Sequence, residues 1–124
     1  MIIRLLKIYT LRVKRGISME ISSQKIEGAT HIIINVDRLD VVNALDVKTA
    51  VATKIAGHDN IIFDLSYINF IDSSGLSMII NIYKSVISMG GSFKLCGLSD
   101  QAKELMEITQ MHQLFDILEN CPKA

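Results

Sequence analysis

A short apolar run that leads into a helical stripe constrains the fold of this chain most strongly. Residues 61–65 are mainly apolar and follow the turn-forming residues 57–60, which predicts an interior strand. Beyond them, apolar side chains recur at helical spacing in Leu76, Ile79, Ile80, Tyr83, Val86 and Ile87. A buried strand followed by an amphipathic helix is a building unit of α/β folds, so we expect functional residues where the two meet.

Polar and small residues fill this junction, in the order Asp72, Ser73, Ser74 and Gly75. Serine is favoured at the start of a helix because its hydroxyl accepts a hydrogen bond from an unpaired backbone N–H. We therefore expect Ser73 or Ser74 at the N-cap or in the first turn, and Gly75 in a close contact or an unusual turn. If the junction is considered alone, helix capping is enough to explain its serines. Evidence that the hydroxyls have a function must therefore come from the surrounding sequence.

The wider sequence resembles the STAS domains of bacterial anti-sigma factor antagonists. The resemblance rests on residues 65–76, 90–92 and 95, and it extends over about residues 20–118. It implies an α/β fold of the STAS, antagonist-like type, with a mixed, mostly parallel sheet of four to five strands and helices packed mainly on one face. The alternation of strand and helix patterns along the chain also favours a largely parallel sheet.

The resemblance also implies roles for the residues of the junction. In the family, the serine or threonine that directly follows the aspartate of the motif is phosphorylated, and the matching residue is Ser73. Ser74 is then its neighbour and not the acceptor. Asp40 matches an acid that lies near the phosphorylated residue in the family. The implied neighbourhood of the phosphorylation site consists of Asp40, Asp72, Ser74 and Gly75.

The function implied by the resemblance is a switch with two states. The unphosphorylated protein binds an anti-sigma factor serine kinase and frees a sigma factor, and phosphorylation of Ser73 releases the kinase. The kinase brings the ATP, and a PP2C-type phosphatase restores the serine. This chain is then a binder and a substrate, not an enzyme, and has no cofactor or metal. The alternative is a STAS scaffold or adaptor in another signalling or lipid-transport complex that does not act on a sigma factor.

Two apolar residues of the second helix, Met78 and Ile82, lie off its main stripe and are candidates for partner binding. The equally weighted alternative is a broad stripe that buries both. Three places depart from the family pattern: residues 37–38 replace a frequent Gly-Glu, Ser77 replaces a common glycine, and Gln110 replaces a frequent glycine after the third helix. These departures affect the assignment of a partner more than the fold.

Composition and charge fit one compact domain with a basic leader. Of the 124 residues, 49% are hydrophobic and 21% are charged, which excludes a disordered chain, and the zero net charge argues against direct binding of nucleic acid.

Residues 1–18 contain basic but no acidic side chains, so they could form a membrane-surface helix or a partner-binding arm. They are the only segment expected to contact a membrane. Alternatively, translation starts at Met19. We expect the STAS domain at residues 19–120 and a tail at 121–124.

The remaining patterns predict short elements. Residues 20–27 and 31–36 should form a hairpin with a turn at Gly28. Asn43 and Ser99 are expected to cap the first and third helices. Residues 112–118 should form an edge strand or a short helix.

The cysteines and histidines show no spacing that indicates a metal or catalytic site. Cys96 and Cys121 are far apart and lack a Cys-x-x-Cys pattern, so we expect reduced cysteines in a cytoplasmic protein. His31, His58 and His112 are scattered, and the serines lack the first glycine of a nucleophile elbow. We therefore predict no catalytic residue and no metal ligand.

Overall fold

The computed structural model of the chain describes residues 6–12 and 18–123. This part of the chain forms strands, three α-helices and one 3-10 turn. The strands are β1 Leu6–Arg12, β2 Ser18–Ile26, β3 Ala29–Asn35, β4 Arg38–Leu39, β5 Asn60–Asp64, β6 Phe70–Ile71, β7 Ser92–Cys96 and β8 Asp116–Ile117. The helices are α1 Ala44–Ile55, α2 Ser73–Ser88 and α3 Asp100–Ile108, and the 3-10 turn is Met111–Gln113.

The main sheet has the strand order β1-β2-β3-β5-β7-β8. Strands β1, β2 and β3 pair antiparallel, whereas β3, β5, β7 and β8 pair parallel. Strands β4 and β6 form a separate parallel ladder of two residue pairs. The predicted mixed α/β fold is therefore confirmed, including the opening hairpin, whose turn places Gly28 at φ +83°. Among the described residues, the main sheet has six strands where four to five were predicted, because β1 pairs with β2 at its edge. The edge strand expected within residues 112–118 is β8, which the 3-10 turn precedes.

Strand β1 corrects the prediction for the basic leader. Residues 6–12 pair with β2 from Leu6↔Gln24 to Arg12↔Ser18, so this segment is neither a helix nor a free arm. Its sequence is rich in β-branched and aromatic residues, which suit a strand. The rest of the predicted leader, residues 1–5 and 13–17, lies outside the described residues. A start at Met19 stays a prediction.

The core lies between one face of the sheet and the helices. Alternate residues of β3, β5 and β7 point toward the helices, as expected for strands with a two-residue period. They include Ile32, Ile34, Ile61, Phe63, Phe93 and Leu95. The predicted α1 stripe of Ala44, Val47, Val51 and Ile55 is buried against this face.

Helix α2 is buried over a wider arc than its main stripe predicts. Met78 and Ile82 are each only 3% exposed, so the alternative of a broad stripe that buries both is confirmed, and the prediction that they form an exposed partner surface is wrong. The physical reason is that α2 contacts both α1 and β7, which leaves it apolar neighbours on two sides. Ile87, which was expected in the stripe, is instead 43% exposed.

The two cysteines also differ from the prediction. Cys96 ends β7 and Cys121 follows β8, and their sulfur atoms form a disulfide. The expectation of two separate reduced thiols is therefore wrong for this structure. Sequence spacing could not reveal the pair, because the chain returns over the sheet only after α3, the 3-10 turn and β8.

Candidate functional site

Asp72 caps helix α2 and joins it to the loop that follows β4. One carboxylate oxygen, Oδ1, accepts a hydrogen bond from the N–H of Gly75 at 2.9 Å, and Oδ2 accepts one from the N–H of Val41 at 3.1 Å. The aspartate therefore occupies the N-cap position, and the serines lie in the first turn, which is the other position that the sequence predicted for them. Ser73 is the first helical residue and is exposed, while Ser74 is half-buried.

Gly75 lies where α2 passes closest to β4. A Cβ atom at this position would lie 2.2 Å from the backbone oxygen of Leu39, which is far inside van der Waals contact. Any side chain would therefore push the start of α2 away from β4. The close contact predicted for Gly75 is present, and it explains on steric grounds why glycine follows the two serines.

The ladder of β4 and β6 holds the two halves of the site together. Leu39 pairs with Ile71, and the N–H of Asp72 donates to the Leu39 oxygen at 3.2 Å. On its other side, Ile71 is bound by the amide of Gln101 from α3. The Gln101 Nε2 donates to the Ile71 oxygen at 2.8 Å, and Gln101 Oε1 accepts from the Ile71 N–H at 2.9 Å.

Gln101 is a residue that sequence reasoning missed. Its side chain takes the place of a neighbouring strand, and it fixes the residue that immediately precedes Asp72. Nothing in the sequence signals this, because a glutamine in the first turn of an amphipathic helix is ordinary. Only the packing of α3 against β6 brings it into position.

The loop of residues 40–43 brings Asp40 into the same site. Asp40 Oδ1 accepts from the N–H of Val42 at 3.0 Å, and Oδ2 accepts from Arg38 Nε at 3.3 Å. The Arg38 guanidinium also lies 4.3 Å above the centroid of the Phe70 ring. Asp40 and Asp72 are thus connected through adjacent residues of one loop, and the charge of Arg38 is offset by Asp40.

An exposed apolar surface lies beside Asp72. Val41 is 74% exposed, Val42 is 51% exposed and Leu45 is 74% exposed, and we call these three residues the valine patch. The backbone N–H of Val41 binds Asp72, so the patch is physically joined to the start of α2. Sequence reasoning placed the partner surface on α2 and missed this patch. Its only signal was a pair of valines that precedes a helix cap and belongs to no strand.

No helix within residues 6–12 and 18–123 is both long enough and apolar enough to cross a membrane.

The family model and the similar proteins indicate the same family. A family model described as the STAS domain matches residues 20–124. A protein of Thermotoga neapolitana that carries the provisional name of an anti-sigma factor antagonist is 34% identical over 68 residues, which cover 55% of this chain and 60% of that protein. The anti-sigma-B factor antagonist of Bacillus subtilis is 36% identical over 53 residues, covering 43% of this chain and 49% of that protein. The matched segments thus span about half to three fifths of these relatives.

Solved structures give the same result. The crystal structure of a Thermotoga maritima protein, provisionally named an anti-sigma factor antagonist, superposes with a TM-score of 0.70 at 26% identity. The match covers 79% of this chain and 85% of that one, so the likeness includes most of both folds.

Proposed function

Since the chain belongs to the STAS domain family, we propose that it is an anti-sigma factor antagonist controlled by phosphorylation of Ser73. In this proposal, the unmodified protein binds an anti-sigma factor that is also a serine kinase, and the sigma factor is thereby freed. The observation that carries the proposal is the exposed Ser73 beside the valine patch, with Asp72 bonded to both segments.

The valine patch supports a partner surface at this place. Three neighbouring apolar side chains that are at least half exposed are costly to leave in water, and their burial in a complex is favourable by roughly 25 cal/mol per Å² of apolar area. The acids Asp40 and Asp72 lie at the edge of this patch, which suits a partner that presents apolar and basic groups. Ser73 would then lie at the rim of the complex, within reach of the kinase.

A phosphate on Ser73 would be poorly accommodated within the bound surface. It carries roughly 1.5 to 2 negative charges near pH 7. Helix N-termini usually favour anions, but here the Asp72 carboxylate already lies at this end of α2 and accepts from the N–H of Gly75. The phosphate would therefore meet the carboxylate of Asp72, and a docked partner would have to bury that added charge. We propose that this cost ends the complex while the fold survives.

The partners follow from the same proposal. The anti-sigma factor serine kinase supplies ATP, a PP2C-type phosphatase removes the phosphate, and this chain itself catalyses nothing. In this proposal, the chain itself acts in the cytoplasm. The interaction with the transcription machinery is indirect, through the sigma factor that the kinase would otherwise hold.

Substitution of Ser73 tests the proposal. Ser73→Ala should bind an anti-sigma kinase from the same organism within about twofold of wild type, because a small exposed hydroxyl contributes little to affinity. Addition of ATP and Mg²⁺ should release wild type but not Ser73→Ala, as followed by biolayer interferometry. The matched control is Ser77→Ala, another exposed serine of α2, which should be released like wild type. Release of Ser73→Ala at the wild-type rate would contradict the proposal.

Substitution in the valine patch tests the binding surface independently. Val41→Lys should weaken kinase binding by at least about tenfold, or roughly 1.4 kcal/mol, because a charge replaces a buried apolar contact. Met89→Lys is the matched control, since Met89 is 66% exposed at the opposite end of α2. Equal loss from both variants would argue against the valine patch and for a nonspecific charge effect.

Mass spectrometry of the protein from its own cells separates the proposal from its alternative. Phosphate on Ser73 under some growth condition supports the switch. If Ser73 stays unmodified in growth and under stress, and no anti-sigma kinase binds, the chain is a scaffold or adaptor in another signalling or lipid-transport complex.

A further inference from the structure

A second cluster of chemically active side chains lies on the face of the sheet that the helices leave uncovered. His31 of β3, Asp64 of β5 and Cys96 of β7 stand on three adjacent strands and are 3%, 7% and 0% exposed. A ring nitrogen of His31, a carboxylate oxygen of Asp64 and the Cys96 sulfur all lie within 4.8 Å of one another. Cys121 adds a second sulfur, which is bonded to that of Cys96.

Hydrogen bonds fix the position and the charge of the Asp64 carboxylate in this cluster. Burial raises the pKa of Asp64, but hydrogen bonds from His31 and Ser66 outweigh burial and lower that pKa overall. The Asp64 carboxylate is therefore ionised at neutral pH. Its Oδ1 accepts from the backbone N–H of Ser66 at 2.9 Å, while its Oδ2 is 3.0 Å from His31 Nε2.

One atom of the cluster has no hydrogen-bond partner among the residues that the structure describes. Within the described part of the chain, His31 Nδ1 is the buried side-chain polar atom for which no hydrogen bond is found. The tautomer of His31 is thus set by Asp64 alone. A proton can move from Nε2 to Nδ1 without breaking any bond at Nδ1, which would leave Nε2 free as a ligand atom beside the carboxylate.

We propose that the reduced protein binds one zinc-like divalent cation at this cluster. The ligands are the thiolates of Cys96 and Cys121, a ring nitrogen of His31 and the carboxylate of Asp64. These are the ligand types that zinc prefers, and four such atoms make a closed tetrahedral site. The cation takes the place of the hydrogen bond between His31 Nε2 and Asp64 Oδ2. The ligand atoms of His31, Asp64 and Cys96 lie within 4.8 Å of one another, so small side-chain shifts bring these three to the spacing of tetrahedral ligands. The Cys121 sulfur joins them once reduction has separated it from the Cys96 sulfur.

The oxidised protein, in which Cys96 and Cys121 form the disulfide, cannot bind the cation at this cluster. Two equivalents of a low-molecular-weight thiol can reduce it, forming two protein thiols and one small-molecule disulfide. Each thiol then loses its proton when it binds the metal. Because the same two sulfur atoms are used in both states, the oxidised protein should have no affinity for the cation at this cluster.

Cobalt(II) is the probe that tests this inference. The full chain is reduced with a phosphine, freed of reductant and chelator without oxygen, and titrated with CoCl₂. We expect one equivalent to bind, with sulfur-to-cobalt charge transfer in the near ultraviolet and the intense visible bands of a tetrahedral ion. Equimolar ZnCl₂ should abolish the visible bands. The protein with its disulfide intact should give only the weak spectrum of hydrated Co²⁺.

Variants distinguish this site from thiols that bind metal by chance. Cys121→Ser changes a half-buried residue of the C-terminal segment and should keep the fold, as checked by circular dichroism, but weaken cobalt binding at least about tenfold. His31→Gln should do the same. His112→Gln alters an exposed histidine and is the control, expected to bind as wild type. A folded, reduced wild type without tetrahedral bands overturns the proposal, as does binding that His31→Gln leaves unchanged.

Discussion

At positions 75 and 110, the backbone geometry favours glycine over residues that carry a side chain. Gly75 is required by the nearby oxygen of Leu39, whereas Gln110 stands at φ +65°, a left-handed conformation that costs side-chain-bearing residues energy. The family pattern places a frequent glycine at the position of Gln110, and the structure supplies the physical reason for it. The chain therefore carries strain immediately after α3.

Replacing Gln110 should relieve this strain. We expect Gln110→Gly to raise the free energy of unfolding by about 0.5 kcal/mol, since the lost strain of about 1 kcal/mol is partly offset by the flexibility of unfolded glycine. Gln113→Gly, within the 3-10 turn, is the control and should destabilise by about 0.5–1 kcal/mol. Urea unfolding measures both, and destabilisation by Gln110→Gly would contradict the assigned strain.

At the scale of elements, α3 supports the site through β6. Its residue Gln101 makes two hydrogen bonds to the backbone of Ile71, which is only 1% exposed. A buried backbone group that loses its partner is expensive, so α3 helps to determine where β6 ends and α2 begins.

Gln101→Leu should uncouple α3 from β6. We expect a loss of about 2 kcal/mol in the free energy of unfolding, because two backbone groups of Ile71 lose their partners while the side-chain volume is kept. Hydrogen exchange of the Ile71 amide should accelerate more than that of other β-sheet amides. The control is Lys103→Leu on the exposed side of α3, and similar exchange at Ile71 in both variants would refute the role of Gln101.

For the whole molecule, Asp64 links stability to pH. The pKa of Asp64 is lowered in the folded state, so the ionised carboxylate stabilises the fold. This contribution to the free energy of unfolding is fully present above the unfolded-state pKa of about 3.9, and it is lost as the pH falls through the folded-state pKa. Wild type should therefore exceed Asp64→Asn in stability at pH 6, and the difference should shrink below about pH 4. Urea unfolding with a chelator and an intact disulfide tests this, and a constant difference would argue against the linkage.

Sequence alone predicted the features that depend on local periodicity. The α1 stripe, the hairpin at Gly28 and the Ser99 cap, which accepts from Ala102 N–H at 3.1 Å, needed no knowledge of distant neighbours. Two failures depend on packing between distant segments, whereas the N-cap of α2 is a local feature, which Asp72 and not a serine occupies. The burial of Met78 and Ile82 needs α1 beside α2, and the pairing of Cys96 with Cys121 needs the path of the C-terminal segment.

The shortness of β4 and β6 has a further consequence for how the molecule opens. A ladder of two residue pairs has few bonds to lose, so it should separate at a smaller free-energy cost than the main sheet. Because Asp72 is bonded to both the loop and α2, the valine patch and the first turn of α2 should then lose order together, as one subglobal unit. Native-state hydrogen exchange would register that unit as a single shared opening energy for the amides of Val41 and Gly75.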